Sequence, residues 1–169
     1  MRRVRYQVAA SLDGFIAGPN GEFDWIVMDP EIDFAALVAE FDTLLMGRHT
    51  FELVEKSERG FMGMKAIVFS RKLRASDHAH VTIVGENGTD LVRELRAKPG
   101  KDIWLFGGGQ LFSSLAQAKL VDTVELAVMP VLLGQGIPLA PQLAEAKTLK
   151  LTGQKVYKAG IVSLQYAIL

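Results

Sequence analysis

Cysteine is absent from the 169 residues, which removes disulfides, thiolate nucleophiles and cysteine metal sites together. Neither sign of charge prevails, with 19 basic against 19 acidic side chains. No overall basic field invites nucleic acid, and no acidic tail is present. No apolar run approaches the roughly 20 residues that span a bilayer. The N-terminus enters a strand pattern instead of a charged and apolar leader, so the expectation is a cytoplasmic protein without a membrane or nucleic-acid partner. Of the three histidines, His78 and His80 lie two apart with no third ligand nearby, and no metal site is expected. Gly-x-Ser-x-Gly and Gly-Lys-Ser/Thr are both missing, which leaves serine-hydrolase and ATPase-type loops without support.

What is present is a hydrophobic fraction of 49%, enough for one globular domain over 1–169. Val4–Ala10 reads as a strand, and Arg2, Arg3 and Arg5 as its solvated edge. The turn Ser11-Leu12-Asp13-Gly14 follows. Asp29 and Pro30 predict a helix start, with Phe34, Leu37, Val38 and Phe41 as its apolar face. Strands are predicted at Thr43–Met46, Lys65–Phe69, Val81–Val84, Asp102–Phe106 and Asp122–Met129, with helices opening at Gly47 and spanning Thr89–Ala97 and Gln110–Ala118. Leu132–Pro141 reads as a Gly- and Pro-rich loop, and Thr148–Tyr157 with Ile161–Leu169 as a β-hairpin. Alternating strands and helices predict an α/β sandwich whose first strands are parallel, with the antiparallel hairpin at one edge.

Three predicted strands run out into chemistry that suits anions. Met46 is followed by Gly47, Arg48, His49 and Thr50; Phe69 by Ser70, Arg71 and Lys72; Phe106 by Gly107, Gly108 and Gly109. In an α/β sheet, ligands sit beyond the carboxyl ends of strands, where helix N-termini offer free N–H groups. Glycine lets a phosphate reach that main chain, and arginine supplies forked donors. Three such exits on one sheet edge suit a ligand with several phosphates. The Rossmann spacing is not met, because Phe112 stands where its third glycine belongs.

With these exits in view, the chain resembles the dihydrofolate reductase-like superfamily, and within it the branch holding the C-terminal reductase domain of riboflavin biosynthesis (RibD C-terminal domain). The resemblance rests on VAASLDGFIA (8–17), LLMGRHTFE (44–52), IVFSRKL (67–73), IWLFGGGQLFSSL (103–115) and DTVELAVMPVLLGQGIPL (122–139), in that order. It implies a three-layer α/β sandwich on a mixed, mostly parallel sheet of about eight strands, larger than a typical sheet, and NADPH as cofactor. By motif matching, Ala10 and Ile16 would line the nicotinamide site. Gly47, Arg48, His49 and Thr50 would hold the pyrophosphate and ribose, with Gly107, Gly108, Gly109, Gln110 and Leu111 completing the cradle. Ser70 and Arg71, with Lys72 nearby, would take the 2′-phosphate, since an acidic residue is usual where a free 2′-hydroxyl is read.

The resemblance also implies a carboxylate near the start of the first helix. Counting back from Met46 reaches Glu31, and Asp33 fits equally if one residue has been lost. Both residues also complement a helix dipole. Asp13 is a candidate for facing substrate or for shaping its turn, and Trp25 for stacking on a ring or filling the core. The basic, histidine-containing segment with which the riboflavin-type reductase grips ribose phosphate is replaced by the acidic and apolar Glu31–Phe41. The expected function is hydride transfer from NADPH to a C=N or C=O group of a small pterin-, pyrimidine- or carbonyl-type substrate. Alternatives are 5-amino-6-(5-phosphoribosylamino)uracil reductase, dihydrofolate reductase, and an NADPH-binding protein without catalysis. Kinship and the exposed edge of the C-terminal hairpin imply a homodimer.

Overall fold

A computed structural model describes residues 1–169. Its strands are β1 (Val4–Ser11), β2 (Phe15–Ala17), β3 (Phe41–Gly47), β4 (Lys65–Phe69), β5 (Thr82–Val84), β6 (Asp102–Gly107), β7 (Thr123–Met129), β8 (Ile137–Pro138), β9 (Leu149–Val156) and β10 (Val162–Ile168). The helices are α1 (Phe34–Ala39), α2 (Arg48–Glu55), α3 (Gly88–Ala97) and α4 (Gly109–Gln117). Eight strands form one sheet in the order β5-β4-β3-β6-β1-β7-β10-β9. From β5 to β7 every pairing is parallel, and the β9–β10 hairpin joins antiparallel at the β7 side. The expected mixed sheet and terminal hairpin are therefore both present.

Strand alternation divides the buried side chains between two layers. On one face Val4, Tyr6, Leu45, Ile67, Ile103 and Leu105 pack under α3 and α4, which contribute Val92, Leu95, Phe112 and Leu115. Tyr6 stacks on Phe112 with ring centroids 4.2 Å apart. On the other face Phe41, Leu44, Met46, Val68 and Trp104 meet Phe51 and Val54 of α2, with Phe34, Leu37 and Val38 of α1 alongside. Near-continuous apolar runs such as TLLM are what a sheet covered on both faces requires. Each fully buried aliphatic or aromatic side chain contributes about 1.5–3 kcal/mol.

Several local expectations are corrected. Helix α1 begins at Phe34 and is capped by Asp33, whose Oδ1 accepts from Ala36 N at 2.9 Å. Asp29 is not the cap: it is buried, and accepts from the amides of Glu31 and Ala159, each at 2.9 Å. It ties the tip of the β9–β10 hairpin to the loop before α1. Phe41 belongs to β3, not to the helix face. Two short strands, β2 and β8, pair antiparallel within segments read as loops.

The basic N-terminus is the largest departure. Arg2 and Arg5 are buried, not solvated. Arg2 pairs with Asp42, while its Nη2 also donates to Thr43 Oγ1 at 2.9 Å. Arg5 forms a two-pronged pair with Glu125, Nε to Oε1 and Nη2 to Oε2, each 2.7 Å, and also pairs with Glu40. Burial opposes the charge on Arg5, but the carboxylates of Glu125 and Glu40 more than offset it and hold its pKa above the usual value. No helix is long and apolar enough to cross a membrane.

Candidate active site

Because β4, β3 and β6 are neighbours and parallel, their three C-terminal exits emerge on one edge. Register sets Met46 beside Gly107 and Gly47 beside Phe69. Helices α2 and α4 start directly from this edge. Their N-cap residues are Gly47 and Gly108, and neither makes a side-chain cap bond. The first-turn N–H groups of both helices have no intrahelical acceptor, so two positive helix ends open side by side.

The glycines of this edge are small for different reasons. Gly107 has φ +148°, a conformation that side chains rarely adopt. Gly109 is crowded by the chain itself: a Cβ there would lie 2.4 Å from Pro138 O and 2.6 Å from Pro141 Cδ. Gly47 and Gly108 have negative φ and no such neighbour. A Cβ on Gly47 would meet nothing nearer than Gly108 N at 4.0 Å, and one on Gly108 only Thr50 Oγ1 at 3.8 Å. These two leave open a main-chain surface that the protein does not fill. The sequence assigns Gly47 and all three consecutive glycines to a cofactor; the fold accounts for Gly107 by its backbone and for Gly109 by crowding, and offers no such reason for Gly47 or Gly108.

The side chains around this surface divide similarly. Arg48 Nη1 donates to Glu52 Oε1 at 3.0 Å along α2, with Nη2 3.2 Å from His49 Nε2. His49 is exposed, and Thr50 borders Gly107 and Gly108. Ser70 shapes its own turn, its Oγ accepting from the amides of Lys72 and Leu73 at 3.1 Å. Arg71 and Lys72 are exposed and make no ion pair. Gln110 is exposed at the start of α4, and Leu111 packs on the adjoining core.

One strand further on, the pairing of the sheet changes. The β1–β6 register runs only from Val4↔Ile103 to Tyr6↔Leu105, whereas β1 stays paired with β7 to Ser11↔Met129. Where the β1–β6 ladder stops, the indole Nε1 of Trp104 donates to the main-chain oxygen of Gln7 at 2.9 Å. Beyond that point β1 and β6 are no longer paired. Ala9 and Gln7 share the face of β1 that carries Arg5, while Ala10 is buried on the opposite face. There Ala10 lines an apolar cavity of about 320 Å³ with Leu126, Val128, Leu139 and Leu164. Ile16 is half-buried in β2.

The remaining candidates already have partners. Asp33 caps α1, as described, and Glu31 pairs with the mostly exposed Lys158 at 3.0 Å. Trp25 is half-buried, and its Nε1 donates to Glu22 O at 3.0 Å. Asp13 accepts from Leu133 N at 3.1 Å and Gly134 N at 2.7 Å, clamping the loop after β7 to the loop after β1. The Ser11 hydroxyl and those two amides lower its pKa to about 2. The ordinary carboxylate value is about 3.9. A value depressed in the folded state means that the clamp is at full strength above the ordinary value and fails as pH falls through about 2. The amide proton shifts of Leu133 and Gly134 are expected to titrate with that low midpoint; an ordinary midpoint would show that the clamp does not form. His78 and His80 share Glu55 and lie against Phe51.

The sequence analysis singles out neither Gln7, the lone amide within VRYQVAA, nor its unpaired Oε1.

Comparison with known proteins agrees with this architecture. The sequence model of one family, described as RibD C-terminal domain, matches residues 2–163. An uncharacterized protein of Bacillus subtilis (strain 168), YyaP, is 35% identical over 98% of this chain and 94% of its own length. A crystal structure of a Shewanella sp. PV-4 protein assigned to riboflavin biosynthesis superposes with TM-score 0.83 at 25% identity, covering 100% of this chain and 99% of that one. A diaminohydroxyphosphoribosylaminopyrimidine deaminase/5-amino-6-(5-phosphoribosylamino)uracil reductase from Thermotoga maritima shares the fold. Its TM-score is 0.72 at 16% identity, over 99% of this chain and 57% of that one.

Proposed function

Because the chain belongs to the RibD C-terminal domain family, we propose that it is an NADPH-dependent reductase acting on a C=N or C=O group of a compact pyrimidine- or pterin-type substrate. The observation that carries this reading is the pair of adjacent helix N-termini at Gly47 and Gly108, uncapped and lined by main chain that a Cβ would cover. That surface fits the pyrophosphate of a dinucleotide. Arg71, exposed and without a carboxylate partner, fits a 2′-phosphate, with Lys72 beside it and Ser70 holding the turn.

When bound, the reduced nicotinamide supplies the hydride; the chain's own residues bind, orient and shield. Gly47, Thr50, Gly108 and the first turn of α4 with Gln110 and Leu111 hold the phosphates, and Arg48 and His49 flank them. Ala10 at the end of β1 and Ile16 in β2 would line the nicotinamide ring, near the strand ends where β1 and β6 cease to pair. Asp33 is committed to its helix. Glu31, paired only with an exposed lysine, is the carboxylate free to serve a substrate proton, and Trp25 is the candidate for stacking on its ring. Strand β9 is a solvent-exposed outer edge with Leu149, Leu151 and Val156 uncovered, and we place a homodimer contact there.

The test is cofactor preference. Hydrogen bonds to charged groups are worth about 1.5–3 kcal/mol, roughly 10- to 150-fold. Arg71→Ala is expected to weaken NADPH binding by that factor and leave NADH binding within about twofold, as read by nucleotide fluorescence. An unchanged NADPH/NADH ratio would remove the 2′-phosphate assignment.

A further inference from the structure

Resting on the reductase reading above, we propose that Gln7 recognises the substrate, its side-chain carbonyl accepting a hydrogen bond from an N–H of a nitrogen-rich ring. The Oε1 of Gln7 is buried and has no hydrogen-bond partner. An amide oxygen left dry and unpaired costs about 1–3 kcal/mol in a folded protein, and such groups are rare enough to need a reason.

The surroundings explain why the protein does not satisfy it. Gln7 lies in the middle of β1, opposite Glu125 of β7. The carboxylate of Glu125 is an acceptor like Oε1, and both its oxygens are taken, by Arg5 and by the Thr123 hydroxyl at 2.8 Å. Arg5, the donor on the same face, is occupied by Glu125 and Glu40. On the β6 side, the indole N–H of Trp104 is spent on the main-chain oxygen of the same Gln7. No donor within this shell is left for Oε1. The β1–β6 ladder ends at Tyr6↔Leu105, one residue before Gln7, so the unpaired oxygen belongs to the residue at which the two strands cease to pair. A donor entering between the unpaired strand ends would meet it.

This restricts the substrate class. A simple aldehyde or ketone brings acceptors only and leaves Oε1 unpaired. An aminopyrimidine or pterin brings ring or exocyclic N–H groups that complete it. A site built around a buried acceptor discriminates strongly against ligands that lack the matching donor.

The experiment titrates diaminouracil, and separately nitrobenzaldehyde, into NADPH-loaded wild-type protein and Gln7→Leu, with melting temperatures recorded for both. Diaminouracil is expected to bind the wild type and to lose about 10- to 100-fold in affinity for Gln7→Leu. Nitrobenzaldehyde and NADPH are expected to bind the two proteins within about twofold of each other. Removing the unpaired buried oxygen should leave the melting temperature unchanged or raised, since the group is retained at the expense of stability. A lowered melting temperature with all ligands weakened together would make Gln7 structural and overturn the proposal. So would equal diaminouracil binding by both proteins, or no binding by a wild type that takes up NADPH. Gln7→Met, which keeps the side-chain length, repeats the comparison if the leucine variant does not fold. If NADPH itself fails to bind, the reductase reading falls, and the same titration on the nucleotide-free protein decides the role of Gln7 on its own.

Discussion

Gly47→Ala is expected to weaken NADPH binding about 30- to 150-fold while leaving the melting temperature within about 2 °C of wild type. The added Cβ strains nothing, because φ is −78° and the nearest atom it meets is 4.0 Å away. It does cover the main-chain surface from which charge-assisted N–H bonds to phosphate would be made. Gly109→Ala is the matched control from the other helix start. Its Cβ would lie 2.4 Å from Pro138 O and 2.9 Å from Leu139 O, and overpacking of this kind costs about 1–3 kcal/mol. The melting temperature should therefore fall by several degrees. Calorimetry and a thermal melt on the two proteins separate a glycine kept for a ligand from one kept for the fold. Equal loss of nucleotide binding without destabilisation in both variants would defeat that separation.

The second large effect concerns stability alone. Arg5→Leu leaves Glu125, 7% exposed, with only the Thr123 hydroxyl as a donor. Breaking a buried ion pair from one side costs about 3–5 kcal/mol, a large part of the roughly 5–15 kcal/mol that holds a domain together. The double variant Arg5→Leu/Glu125→Leu removes both charges and is expected to recover most of that loss. Denaturant unfolding of these two variants, Glu125→Leu and the wild type closes the cycle. If the double variant is no more stable than Arg5→Leu, the unpaired carboxylate is not the cause.

These two predictions also mark what was legible in the sequence. The shared edge could be found because a parallel sheet places every strand exit on one side, so GRHT, SRK and GGG needed no coordinates to be brought together. Within GGG, the different reason for each glycine could not be found. Gly109 is crowded by Pro138 and Pro141, some thirty residues on, and no local pattern announces such a contact. Arg5 was read as solvated for the same reason: its partner Glu125 is 120 residues away. The first helix was placed too early because Asp29-Pro30 and Asp33 are both sound start signals, and only the hairpin tip at Ala159 claims Asp29 for another bond. Strands β2 and β8, of three and two residues, are too short for alternation to register. Gln7 was visible as a residue, yet its significance lies in what its neighbours cannot offer.

The loop after β1 and the loop after β7 are fastened to each other at three points, by Leu12 N on Val131 O at 2.9 Å, by Asp13 on Leu133 and Gly134, and by Leu139 N on Gly14 O at 3.0 Å. The second loop is anchored in turn by the Tyr6 hydroxyl, which donates to Leu139 O at 2.9 Å, and rests on Gly109. They form a single brace with one foot on the central strand and the other on the threshold of α4. Neither can swing outward alone, and whatever loosens one slackens the wall of the cleft on both sides.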